Sequence, residues 1–110
     1  MTSQVSKFGN IRTAYAGRMF SSKKEAAHAA TLDLMRRAKD LKERVVHVEY
    51  QYPIPIKIGM ILVTTYVADF LVTFADGRKE VQDTKGFRTD IYKLKKKLVK
   101  AVHGIDIIEN

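Results

Sequence analysis

Residues 66–85, Tyr66-Val67-Ala68-Asp69-Phe70-Leu71-Val72-Thr73-Phe74-Ala75-Asp76-Gly77-Arg78-Lys79-Glu80-Val81-Gln82-Asp83-Thr84-Lys85, hold the reading on which the fold turns. Aromatic and β-branched residues up to Phe74 mark the end of a long strand that starts near Ile61, and Arg78–Thr84 reads as a second strand. Ala75-Asp76-Gly77 joins them. Strand side chains alternate, so Asp83 and Lys85 share one face and Gln82 and Thr84 the other. A two-residue loop at Asp76-Gly77 sets Asp69 opposite Thr84, away from Asp83. A three-residue loop with Gly77 in the left-handed conformation pairs Phe74 with Arg78 and, counting back, Asp69 with Asp83. In that register Asp69, Asp83 and Lys85 cluster.

Asp69 also sits in an otherwise apolar strand, where a charge is costly unless it is paired or binds a cation. Two carboxylates beside a lysine suit a hard, oxygen-liking cation such as Mg²⁺, held by one or two carboxylates, waters and substrate phosphate. The matching substrate is a phosphodiester: the ion polarises phosphate and activates water, while Lys85 orients the nucleophile or steadies developing charge. A lone Asp-X-Lys is common and by itself usually a solvated strand end. Its weight here comes from the register with Asp69 and from the charge of the whole chain.

Working outward, Ser22-Lys23-Lys24-Glu25 fits a capping box that opens an amphipathic helix through Leu32, Leu34, Met35, Ala38 and Leu41 to about Glu43. Glu25 is favoured there by the orphan amides alone, yet it projects beside the core-facing stripe and can reach the acids. Arg44–Tyr52 reads as a first strand closed by Pro53 and Pro55. After Gly86, Thr89-Asp90 opens a second helix in which Ile91, Leu94, Leu98 and Val102 form an apolar stripe expected to face the core. Ile105–Ile108 is a last short strand. Residues 1–20 show neither periodicity and read as a basic arm, leaving 21–110 as one α/β domain in the order helix, three strands, helix, strand.

The chain has 110 residues, 20 Lys and Arg against 12 Asp and Glu, and a net charge of +8, which favours a polyanionic partner, DNA first. Arg88 and Lys93, nearest the start of the second helix, are expected phosphate contacts. Lys96 shares their helix, Lys7, Arg12 and Arg18 lie in the arm, and Lys24 opens the first helix. Gln51, near a strand end, is a further candidate for a metal water or a backbone phosphate. His28, His47 and His103 lack metal-ligand spacing. No membrane contact is expected, because no apolar face appears beside the basic residues. Without cysteine, disulfides and thiolate zinc sites are excluded. With no signal-like N-terminus and no apolar run long enough to span a bilayer, a cytoplasmic location is expected.

Lys7-Phe8-Gly9-Asn10, Gly17-Arg18-Met19-Phe20-Ser21-Ser22-Lys23-Lys24-Glu25-Ala26, Tyr66-Val67-Ala68-Asp69-Phe70, Val81-Gln82-Asp83-Thr84-Lys85-Gly86-Phe87 and Tyr92-Lys93-Leu94-Lys95, in that order, make most of the chain resemble a phage and prophage family. Its members, small proteins long catalogued as of unknown function, are placed in the PD-(D/E)XK nuclease superfamily. The resemblance implies a restriction-endonuclease-like αβββαβ core with a mixed sheet flanked by helices. It also implies a divalent site of Glu25, Asp69 and Asp83 with Lys85, and so makes Glu25 a ligand as well as a cap. Ala68 stands where the superfamily name has proline. The activity implied is Mg²⁺-dependent endonucleolytic cutting of DNA, with Mn²⁺ able to substitute, on duplex or branched substrates such as Holliday junctions, by a phage protein in its host. A homodimer is implied by symmetric cutting of two strands. The alternative from composition alone is a non-catalytic, basic nucleic-acid-binding protein.

Overall fold

A computed structural model describes residues 3–5, 11–84 and 87–110. It is a mixed α/β structure. The first three strands, β1 (Ser3–Val5), β2 (Ile11–Tyr15) and β3 (Arg18–Phe20), form a small antiparallel sheet in that order. Over Ser3–Val5 and residues 11–20, strands thus stand where an arm was expected. The missed signal is the turn Ala16-Gly17: both residues adopt positive φ, 51° and 79°, the conformation that closes a two-residue hairpin. Phe20 is buried beneath it, 4% exposed.

Helix α1 (Lys23–Met35) starts at Ser22, whose hydroxyl accepts the Glu25 amide at 3.1 Å. It stops at Met35, well short of Glu43. Beyond it the chain tightens into turns, with the Arg36, Arg37 and Ala38 amides each donating three residues back. Arg44 Nε then binds the Ala38 carbonyl at 2.7 Å. Leu34 and Leu41, counted above as part of the apolar face, are exposed.

The main sheet has the order β4 (Val45–Ile58), β5 (Ile61–Phe74), β6 (Lys79–Asp83), β7 (Ile107–Glu109). β4–β5 and β5–β6 are antiparallel, and β7 joins β6 in parallel after α2 (Asp90–His103). From Lys23 onward the order is therefore helix, three strands, helix, strand. β4 passes through Pro53 and Pro55 rather than ending there, with Pro53 opposite Val67 and Pro55 opposite Thr65. An edge strand allows this, since two residues of like parity can turn their missing donors away from β5.

One core joins Ala26, Ala29 and Leu32 of α1 to Val48, Phe70, Val72 and Phe74; the other joins Tyr92 and Val99 of α2 to Ile54, Ile56, Tyr66, Ala68, Val81 and Ile107. Leu71, whose side chain opposes that of Phe70 across the sheet, packs with the second core. The two helices thus cover opposite faces. Yet Tyr50 and Phe70 belong with α1, whereas Tyr52 and Ala68, two residues along on each strand, belong with α2. Regular strands keep such residues on one face. Both strands therefore turn over at one level, Gln51 and Asp69. Among the described residues no helix is long and apolar enough to cross a membrane.

Candidate functional site

Gln51 and Asp69 lie opposite each other where the strands turn over. Tyr50 pairs with Phe70 and Tyr52 with Ala68, but the step between them is missing from the ladder. Gln51 has a φ of 53°, an uncommon state for a residue other than glycine and one that concentrates at functional sites.

On the other side of Asp69 stands Asp83. Gly77 takes a φ of 93°, the Phe74 amide donates to the Arg78 carbonyl at 2.9 Å, and Phe70 pairs with Gln82. This is the register of the three-residue loop, and it puts Asp69 opposite Asp83. The two residues hold each other's strands: the Asp69 amide donates to Asp83 Oδ1 at 2.8 Å, and the Thr84 amide and hydroxyl donate to Asp69 Oδ2 at 2.9 and 3.2 Å. Asp83 is fully buried and Asp69 half-buried. Asp69 Oδ1 accepts no hydrogen bond among the described residues. Two carboxylates facing across adjacent strands repel, and a hard cation relieves that repulsion.

Glu25 is 1% exposed. Its Oε1 accepts the Ser21 amide and hydroxyl at 3.3 and 2.6 Å, so it caps one residue further back than a capping box requires. Its Oε2 accepts Gln51 Nε2 at 3.2 Å. Glu25 is therefore tied, through Gln51, to the level at which Asp69 sits. Among the described residues no three His, Cys, Asp or Glu side chains converge closely enough to hold a metal. The structure thus joins Asp69 to Asp83 and Glu25 to Gln51 without closing the four into one cluster. Lys85 and Lys7 lie outside the described residues.

The basic candidates divide. Arg12 and Lys24 are exposed, and the Arg18 guanidinium lies 4.2 Å from the centre of the Tyr50 ring. Arg88, Lys93 and Lys96 line one groove between α2 and β7, together with Lys97 and Lys100. Arg88 grips Glu109 at 2.7 Å and Lys96 stands 3.5 Å from it. With the Tyr92 hydroxyl donating as well, at 2.5 Å, the Glu109 carboxyl is held down to about 2, first by Arg88 and then by Tyr92. Arg88 and Lys96 therefore serve the fold as well as the groove, and Lys93 and Lys97, both exposed, line it beside them.

A family model described as a protein of unknown function, DUF1064, matches residues 5–104. The chain belongs to the DUF1064 family. No curated protein and no solved structure matches it. The DUF1064 match takes in Glu25, Gln51, Asp69, Asp83 and both helices, and leaves β7 outside.

In this DUF1064 chain the site also contains residues that sequence reasoning passed over. Thr84 holds Asp69 by both its amide and its hydroxyl, and nothing in the sequence distinguishes it from an ordinary strand end. His28 on α1, assigned no role above, meets the buried Gln82 at 2.7 Å and packs on Phe70. Glu109, the anchor of the basic groove, sits two positions after Ile107 on the last strand, and the lysines facing it are its only sequence cue.

Proposed function

We propose that this chain is a metal-dependent DNA endonuclease of the restriction-endonuclease-like type. The observation that carries the reading is the placement of Asp69 opposite Asp83 at the level where β4 and β5 turn over. That pair offers hard oxygen donors fitted to Mg²⁺, or to Mn²⁺ in its place, and a bound ion would supply charge for a phosphate and a lowered pKa for water. Asp69, with one oxygen spare, is the more available donor. Asp83, buried and fixed by the Asp69 amide, sets the position of the pair. Glu25 adds negative charge from α1 through Gln51, and Lys85, next but one after Asp83, is assigned to the scissile phosphate. The groove of Arg88, Lys93, Lys96, Lys97 and Lys100 gives the duplex a cationic track. Branched DNA is the proposed preferred substrate.

Linear, nicked, flapped and four-way DNAs incubated with Mg²⁺ test this. The wild type is expected to cut at least one, in Mg²⁺ and equally when Mn²⁺ replaces it, and Asp69→Asn to cut none. Absence of cutting on all four in either ion contradicts the proposal.

A second reading is favoured by a specific observation: each aspartate already satisfies a backbone amide, and among the described residues three acids do not converge. On this reading the acids are structural, at a break in the ladder, and the chain is a non-catalytic nucleic-acid-binding protein. Its binding would be indifferent to Mg²⁺ beyond ordinary salt screening, whereas a metal site between acids and phosphate makes binding stronger when a divalent ion is added.

A further inference from the structure

In the apolar stripe of α2, Leu98 packs half-buried against the core, but its neighbours Ile91, Leu94 and Val102 do not face it. Tyr92 and Val99 do, at 9% and 0% exposure, while Ile91, Leu94 and Val102 stand 67%, 57% and 42% exposed. α2 is thus held by one face and shows a second apolar face that nothing covers among the described residues. Leu98, seven after Ile91, closes one side of this face against the core, and Ile91, Leu94 and Val102 carry its exposed part. The hairpin beside it behaves alike. Lys95 Nζ binds the Thr65 carbonyl at 3.2 Å and His103 Nε2 meets the Pro55 carbonyl at 2.7 Å, so α2 lies against the β4–β5 hairpin. The hairpin's far end exposes Ile58, Met60, Ile61, Leu62 and Val63, from 52% to 99%.

We infer that this α2 and hairpin surface is the interface with a second copy of the chain. The eight side chains, exposed by 42–99%, amount to an area on the order of the ~800 Å² per partner that a stable dimer buries, more than a lone soluble chain ordinarily leaves in water. The exposed stripe of Ile91, Leu94 and Val102 complements a second stripe of the same kind across a two-fold axis. DNA is a poor occupant, because Ile58–Ala68 holds no Lys or Arg to meet phosphate. On the dimer the basic grooves face outward on both copies. The interface stands on geometry and does not depend on the nuclease reading.

Sedimentation equilibrium of the full chain tests it. The wild type is expected at twice its 12.5 kDa. Leu94→Glu and Met60→Glu, both at exposed positions, are expected to keep the wild-type circular dichroism and to weaken association at least about a hundredfold, because each dimer loses two such side chains. Leu34→Glu, on the exposed side of α1, is expected to remain paired. A single chain at every concentration, a Leu94→Glu protein that still pairs, or wild-type protein that stays single and partitions onto anionic phospholipid vesicles overturns the inference. A single chain that cuts DNA sinks the interface and leaves the nuclease reading; a paired chain that cuts nothing supports the interface and leaves that reading without its activity.

Discussion

Asp83 holds an amide of the neighbouring strand while lying beside a second carboxylate, so its charge and its hydrogen-bonding oxygen can be separated by substitution. Asp83→Asn keeps an acceptor for the Asp69 amide and should fold with little loss. Asp83→Ala leaves that amide orphaned and is expected to cost about 1–3 kcal/mol, read from urea unfolding. Equal stability of the two variants would mean that the Asp69–Asp83 contact does not hold the strands. Glu109 gives a prediction in pH. Its folded carboxyl is held at about 2 against an ordinary 4.5, so the stability it contributes is present above 4.5 and lost as pH falls toward 2. The difference in unfolding midpoint between wild type and Glu109→Gln should therefore narrow over that window and stay constant above it. At this scale the Asp69–Asp83 pairing was legible, because side-chain parity and a glycine at the third turn position leave few registers. The positive φ of Gln51 and the grip of Thr84 were not, since neither residue type demands such a role.

Among the elements, caps and turns were readable and the choice of buried face was not. Ser22 and Thr89 open the two helices as their side-chain chemistry dictates, each accepting the amide three residues on. The α2 stripe of Ile91, Leu94, Leu98 and Val102 has the periodicity of a core face, but Tyr92 and Val99 take the centre of that place and, of the stripe, Leu98 alone packs beside them. Periodicity says that a face will be buried, not by what. Val99→Ala is accordingly expected to cost ~2 kcal/mol, and Leu94→Ala under about 0.5 kcal/mol, when unfolding is measured at concentrations too low for association. The reverse order would place the stripe inside. The β2–β3 turn, hidden from periodicity because each strand is so short, makes a second test. Ala16 holds a left-handed φ, which asparagine tolerates better, so Ala16→Asn should stabilise by up to about 1 kcal/mol, or ~4 °C in Tm. A fall in Tm would argue against the hairpin.

For the whole molecule, the radius of gyration of 15.0 Å exceeds the roughly 13 Å expected of a compact chain of about this length, and the short axis is only 19 Å. The β4–β5 hairpin causes much of this. Having turned over at Gln51 and Asp69, it leaves α1, runs along α2 and ends in an apolar tip. The same turn-over opens the sheet at the acids, which makes the flat shape and the candidate site two consequences of one backbone feature. Charge of the whole chain was plain from composition, whereas its concentration in one groove beside α2 depends on how that helix is rotated.

If, as proposed, the paired aspartates hold a cation that acts on DNA, the single-turnover rate of four-way junction cutting in Mg²⁺ by wild type and by Asp83→Asn at matched stability decides it. The expected result is cutting by the wild type and a loss of at least about a hundredfold in the variant, the effect of removing charge worth several kcal/mol to the reacting phosphate. Equal rates would mean that the chemistry lies elsewhere and that Asp69 and Asp83 serve only to hold the strands together.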